Sequence, residues 1–110
     1  MASDFKRLGA SAPSADTDTL LYSPGSTFSA IVSTIYVCNR SANAATFRIA
    51  VVDGPIGNVT DEDYLYYDVT VPGNDTFATT GGITLQNTDS ILVRAGSSNL
   101  SFSAFGDEVS

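Results

Sequence analysis

The sequence predicts an all-β domain, an antiparallel β-sandwich or jelly-roll-like fold of seven or eight strands. Short runs of β-branched and aromatic residues recur at intervals of roughly 8 to 12 residues, and clusters of Gly, Pro, Asn, Asp and Ser separate them. No window shows a sustained helical period. Two sheets packed face to face bury the apolar sides of such strands, which favours a sandwich. We predict that residues 19–110 form this single β-sandwich domain and that residues 1–18 form an extended N-terminal arm.

Residues 1–18 show no clear period of 2 or 3.6 residues. They mix Ala, Ser, Pro and Asp around Lys6, Arg7 and Leu8, so this segment cannot build a core of its own. Two interpretations remain open, a frayed terminus and an arm that becomes ordered on a neighbouring subunit. The chain has no long apolar run, which predicts neither a secretion signal nor a membrane span and makes the cytoplasm the expected site of synthesis.

The strands of the domain follow one another in the rhythm of an antiparallel meander. They are predicted at residues 19–22, 28–39, 45–53, 64–71, 76–79, 83–85, 90–95 and 100–105. A strong turn at 72–75 contains Pro, Gly and Asn, which favour turn conformations. A longer exposed loop is expected between the third and fourth of these strands.

The strand at 28–39 is apolar on both faces. Its parity places Ile31, Ile35 and Val37 on one side and Val32, Tyr36 and Cys38 on the other. A half-solvated strand alternates apolar and polar residues instead. We therefore expect this strand to be covered on both faces, once by the sandwich core and once by another subunit or by the arm.

Two other strands alternate more regularly. Residues 45–53 place Phe47, Ile49 and Val51 on one face and Thr46, Arg48, Ala50 and Val52 on the other. Residues 100–105 alternate Leu100, Phe102 and Ala104 with Ser101 and Ser103, and Phe105 breaks the pattern. One face of each strand is expected to enter the core.

Composition and charge restrict the possible partners. Twelve acidic residues face five basic ones, and this net charge of -7 disfavours binding to a phosphate backbone, so we expect no nucleic-acid partner. Charged residues make up 15% of the chain, below the roughly 25% of an average soluble protein. The single cysteine, Cys38, excludes an intrachain disulfide.

The sequence offers little chemistry, and we expect neither an enzyme nor a cofactor. Histidine, the commonest general base, is absent, and the sole lysine, Lys6, lies in the predicted arm. The adjacent acids at 61–63 indicate a solvated turn. For Asp68, an ion pair with Arg48 or Arg94 is favoured over a catalytic role.

No metal site is predicted, although one weak alternative is a calcium site. It would use Asp61, Asp63 and the carbonyl of Asn58. The regular acidic spacing of a calcium-binding loop is missing from this segment.

Four segments, at 37–51, 64–68, 72–77 and 101–106, resemble a family of small proteins encoded among the virion genes of tailed bacteriophages. The resemblance covers roughly residues 8–108. It implies a structural component of the virion, and phage capsid decoration (cement) proteins, which are small β-rich domains bound between major capsid subunits, fit this chain in size and fold. By analogy with several cement proteins, we expect a cyclic homo-oligomer, a trimer.

The expected partners are the major capsid protein or other virion proteins. The candidate interface residues are Phe5, Leu8, Val32, Tyr36, Tyr64, Tyr66 and Tyr67. The alternative is a tail, neck or fibre-associated domain, in which the three strand tyrosines and the loop at 58–63 contact a partner tail protein or a host-surface glycan.

Overall fold

The computed structural model describes residues 3–25 and 27–110, and it confirms the all-β prediction. The described residues form nine strands and two short 3-10 helices, Ile56–Asn58 and Asp61–Asp63. The strands are β1 (Ser3–Ser11), β2 (Thr19–Tyr22), β3 (Ser29–Asn39), β4 (Ala45–Asp53), β5 (Tyr64–Val71), β6 (Thr76–Thr79), β7 (Ile83–Leu85), β8 (Asp89–Ala95) and β9 (Leu100–Val109).

The strands form two antiparallel sheets. A five-stranded sheet has the order β1-β9-β3-β6, with β7 also paired to β3, and a four-stranded sheet has the order β2-β8-β4-β5. If β6 and β7 are counted as one interrupted strand, this is the two-sheet order of a jelly roll. The predicted meander is wrong, because β4 and β5 are the one pair of consecutive strands that hydrogen-bond to each other in the described residues.

All eight predicted strands are present, and β1 is an addition to them. Within the segment predicted as an arm, residues Ser3–Ser11 pair with β9 of the same chain, with Ser3 opposite Val109 and Ser11 opposite Phe102. The pairing extends β9 to Val109, four residues beyond the predicted end. The pattern of β1 is irregular because a bulge lies between Arg7 and Gly9.

The core lies between the two sheets and is centred on Phe47 of β4. The ring of Phe47 lies 5.1 Å from that of Phe77, 6.1 Å from that of Tyr66 and 6.2 Å from that of Phe102. These four residues come from β4, β5, β6 and β9, so this aromatic cluster joins both sheets. The predicted inward set of β9, Leu100, Phe102 and Ala104, is buried as expected.

The predicted parity of β3 is wrong at Ile31 and Val32. A bulge between Val32 and Thr34 shifts the register against β9, so Val32 and Ile35 both point into the core. The same shift leaves Ile31 and Tyr36 on the outer side, where they are 49% and 44% exposed. Successive side chains of a strand point to opposite faces of the sheet, so one inserted residue reverses the faces of the residues on one side of it.

The outer side of the four-stranded sheet is partly covered by the chain itself. Ala50, Val52 and Leu92 point away from the main core but are fully buried, packed by Ile56, Val59 and Tyr64. The loop with the two 3-10 helices supplies Ile56 and Val59. A second, smaller core therefore forms outside the sandwich.

The buried side chain of Asn39 fixes the end of β3. Its Nδ2 donates to the carbonyl oxygens of Asn43 at 2.8 Å and Val71 at 3.1 Å, and its Oδ1 accepts from the backbone N–H of Ser41 at 3.0 Å. Buried polar groups need such partners. The amide thereby ties β3, the 41–44 turn and β5 together.

A polar cluster closes the sandwich where β1 and β9 approach β2. Glu108 accepts a hydrogen bond from the hydroxyl of Tyr22 at 2.5 Å. It also forms an ion pair with Lys6, whose Nζ lies 3.1 Å from Oε1 of Glu108. Hydrogen bonds from Tyr22 and then Lys6 lower the pKa of Glu108 from its usual value. Burial, followed by the bond to Glu108, raises the pKa of Tyr22.

We expect this cluster to make the fold sensitive to acid. The pKa of Glu108 is lower in the folded protein than in the unfolded chain, where it is about 4.3. Ionised Glu108 therefore stabilises the fold at pH values above the unfolded pKa, and this stabilisation is lost as the pH falls through the folded-state pKa. Glu108→Gln removes the contribution. The free energy of unfolding is measured with urea at pH values from 7 down to 3. Below a pH of about 4.3, this free energy should decrease less in the variant than in the parent. Parallel curves would contradict this assignment.

Candidate functional site

The largest feature without a covering element is the outer side of the five-stranded sheet. The register places the outward residues of β1, β9 and β3 in rows: Phe5, Asp107 and Ile31; Arg7, Phe105 and Thr34; and Ala10, Ser103 and Tyr36. We call these nine residues, with Cys38, Thr76, Ala78, Thr84 and Ser101 around them, the neutral face. Within the described residues, Arg7 and Asp107 are its only charged members.

Aromatic and aliphatic side chains occupy the middle of the neutral face. Phe5 is 81% exposed and Phe105 is 37% exposed. Phe105 is the central residue, because Phe5, Ile31 and Tyr36 each lie diagonally from it on an adjacent strand. The rings of Tyr36 and Phe105 meet edge to face at 5.9 Å. Four of the seven large exposed hydrophobic residues of the described chain therefore lie together here.

The two charged side chains of the neutral face make few polar contacts within the described residues. Arg7 forms no ion pair within the described residues, whereas Lys6 beside it pairs with Asp4 and Glu108 on the other side of the sheet. Asp107 accepts the backbone N–H of Asp4 at 2.9 Å. The guanidinium of Arg7 and part of the Asp107 carboxylate are thus available to a partner.

The outer side of the opposite sheet has a different character. Arg48 and Arg94 are directly opposite each other on β4 and β8, and each has an acidic partner, Asp68 at 2.7 Å and Asp18 at 3.2 Å. The predicted ion pair of Asp68 with Arg48 is confirmed. Their hydrogen bond raises the pKa of Arg48 and lowers that of Asp68. These four charged side chains are therefore already paired within the chain.

The structure distributes the predicted interface residues over several surfaces. Phe5 and Tyr36 lie on the neutral face, but Val32 is in the core and Leu8 is partly buried against it at the β1 bulge. Tyr66 points inward, where its hydroxyl shares a hydrogen bond of 2.5 Å with Thr79.

The other two tyrosines lie on the outer side of the four-stranded sheet. The rings of Tyr64 and Tyr67 meet edge to face at 5.0 Å, and the guanidinium carbon of Arg48 lies 4.0 Å from the centre of the Tyr67 ring. The three strand tyrosines therefore do not share one surface.

Sequence reasoning missed Ile31 and Phe105 as members of the neutral face. Ile31 was assigned to the opposite parity because the bulge in β3 has no signature in the sequence. Phe105 did carry a signal, since it breaks the alternation of its strand at a position that should be polar. An apolar residue at a solvent-facing position of a strand indicates a covered or binding surface.

Two depressions elsewhere are small or open. One, of about 70 Å³, is polar and lies beside the paired side chains of Arg48, Arg94 and Asp68. The other lies between the sheet edges at β5 and β7 and is lined by Leu65, Tyr66 and Ile83 among others.

The acidic loop is used for local structure. Asp63 accepts the backbone N–H of Thr60 at 2.9 Å, which closes the second 3-10 helix. No group of three or more Asp, Glu, Cys or His side chains in the described part of the chain is placed to hold a metal ion. Nor is any helix among residues 3–25 and 27–110 long and apolar enough to cross a membrane.

No family model, curated protein or solved structure matches this chain.

Proposed function

We propose that this chain is a non-enzymatic structural protein of a tailed-phage virion, a capsid decoration protein that stabilises the shell by binding between major capsid subunits. The neutral face is the observation that carries the proposal. A small domain that exposes Phe5, Ile31, Tyr36 and Phe105 side by side presents the kind of apolar patch that marks a protein interaction surface.

The fold is compatible with this role. Jelly rolls occur in viral capsid domains and in lectins. This is a likeness at the level of fold, and fold alone does not determine function. It agrees with the resemblance of the four sequence segments to small proteins of phage virion genes.

Exposed apolar residues away from the neutral face support contacts with more than one companion. Leu20 on β2 and Leu65 and Tyr67 on β5 are each about half exposed, and these strands are the two opposite edges of the four-stranded sheet. A protein that joins several subunits needs separate surfaces, and repeated weak contacts raise the residence time on a lattice.

A glycan-binding role gains no support from the tyrosines. Sugar rings stack on exposed aromatic faces, but Tyr66 is turned inward and Arg48 covers one side of the Tyr67 ring. A partner protein is therefore the better candidate for this region.

The proposal is tested by quantifying the protein in purified particles of a phage that carries this gene. A decoration protein should be present in hundreds of copies per particle, and antibody labelling in electron micrographs should cover the head. A few copies confined to the neck, tail or fibres would contradict the decoration role and support the tail-associated alternative. Complete absence from particles would refute both.

A further inference from the structure

We infer that the neutral face binds a second copy of this chain, face to face, in a two-fold symmetric dimer whose strands cross at about 70°. The inference rests on the proposed assembly function and assigns this surface to a second copy, which leaves other exposed apolar residues, Leu20, Leu65 and Tyr67, for contacts with the capsid. It is nevertheless tested on the purified protein without virus particles.

The first argument is charge. The protein carries a net charge of -7, so two copies repel each other across most orientations. The neutral face contributes one cation, Arg7, and one anion, Asp107, so the whole net charge lies elsewhere. A basic partner would be attracted to that acidic remainder, whereas a second copy can approach without repulsion where both surfaces are neutral.

The second argument is the arrangement of the residues. Strands in a sheet lie about 4.8 Å apart, and alternate residues of a strand lie about 6.8 Å apart. In this lattice Phe5, Phe105 and Tyr36 lie along one diagonal. Arg7 and Asp107 lie on opposite sides of that diagonal, each next to Phe105.

This arrangement is self-complementary. A two-fold axis that runs along this diagonal, just above the face, places each of the three aromatic residues against the same residue of the other copy. The same rotation places Arg7 of each copy over Asp107 of the other, so the two charges form two equivalent ion pairs. Strands of the two sheets then cross at about 70°, because the diagonal of this lattice lies about 35° from the strand direction.

The overlap of the two faces sets the strength of the dimer. Four strands side by side are about 19 Å wide, so two such faces whose strands cross at about 70° share about 380 Å² before the projecting rings are counted. A stable interface needs about 800 Å² from each partner. The shared area is roughly half of that, so we expect a weak dimer that forms at high protein concentration.

The decisive experiment is a charge exchange followed by analytical ultracentrifugation. The parent should sediment as a dimer of twice the chain mass of 11.5 kDa. Arg7→Asp and Asp107→Arg should each raise the dimer dissociation constant on the order of tenfold or more, because each places like charges opposite each other twice. An equimolar mixture of the two variants should regain parental affinity, since the heterodimer restores both pairs.

Matched variants control for net charge. Arg40→Asp and Asp61→Arg change the total charge by the same amounts but lie outside the neutral face, so they should leave the dissociation constant within about threefold of the parent, and their mixture should gain nothing. Phe5→Glu provides a second disruption at a side chain that is 81% exposed. It should weaken the dimer on the order of 100-fold without lowering the melting temperature of the monomer.

A parent that stays monomeric at about 1 mM overturns the inference, because even a weak dimer is populated at that concentration. So does a trimer, or a dimer that none of the neutral-face variants weakens. If purified copies dimerise as described but the protein is absent from particles, the proposed function fails and the dimer stands. If the protein decorates heads but the parent is monomeric, the face belongs to a capsid subunit instead.

Discussion

Phe47→Ala is expected to destabilise the fold by about 3–5 kcal/mol, the range measured for deletion of buried aromatic rings. Phe47 is fully buried, and its ring contacts those of Tyr66, Phe77 and Phe102 from three other strands. Neither sheet can move to fill the resulting cavity without disturbing the other. A domain of this size is stable by about 5–15 kcal/mol, so the variant should lose a large part of its stability.

Thermal and urea unfolding of Phe47→Ala measure this loss, and the melting temperature should fall by at least roughly 10 °C. Leu65→Ala is the matched control, because Leu65 is 50% exposed and its truncation should cost less than about 1 kcal/mol. Both variants are compared at one protein concentration, since self-association adds to apparent stability. Equal effects of the two substitutions would contradict the assignment of Phe47 to the centre of the core.

Gly106→Ala is expected to be nearly as damaging, by more than about 3 kcal/mol, although it adds a single methyl group. Gly106 lies in β9 between Lys6 of β1 and Val32 of β3, beside the β3 bulge. A Cβ atom there would lie 2.1 Å from the carbonyl oxygen of Ile31 and 2.9 Å from the Cα of Val32. Both are backbone atoms, so β3 itself would have to shift and its pairing with β9 would be disturbed.

Gly57→Ala is the control for this substitution. Gly57 has no atom within 4 Å of the added Cβ and lies in the exposed loop. The change should therefore be neutral within about 0.5 kcal/mol or slightly stabilising, because alanine restricts the unfolded chain more than glycine does. Chemical denaturation of the two variants gives the comparison. If Gly106→Ala unfolds at the parental midpoint, the close contact between β9 and β3 is not present in solution.

The fold was predictable to the extent that it depends on local pattern. The bounds of β2, β4, β5, β6 and β7 match the predicted segments, because turn residues and β-formers mark them clearly. β1 was not predicted as a strand. Its inward positions carry Asp4 and Lys6, and Lys6 forms ion pairs with Asp4 and with Glu108 at the edge of the sandwich, so β1 lacks the apolar alternation of a core strand.

The candidate site was predictable only in part, for a similar reason. The 28–39 segment was predicted to be covered on both faces, and its inner side is buried as expected. The arm does not cover the outer side, because residues Ser3–Ser11 pair with β9 in the same sheet and leave Ile31 and Tyr36 exposed. Which residues remain outside depends on the bulge at Val32 and on the alignment of β9 with β1 and β3. Those registers are set by contacts between segments far apart in the sequence, which a local pattern does not contain.

The central position of β9 has a consequence for how the protein is made. This strand, the last of the nine, lies between β1 and β3 and separates the two in the finished sheet. During translation, β1 has no partner in its sheet and β3 lacks the partner on one of its two sides until the residues of β9 have left the ribosome. We therefore expect the nascent chain to expose its apolar segments until synthesis of β9 is complete, and then to fold on the millisecond to second timescale typical of domains dominated by distant pairings.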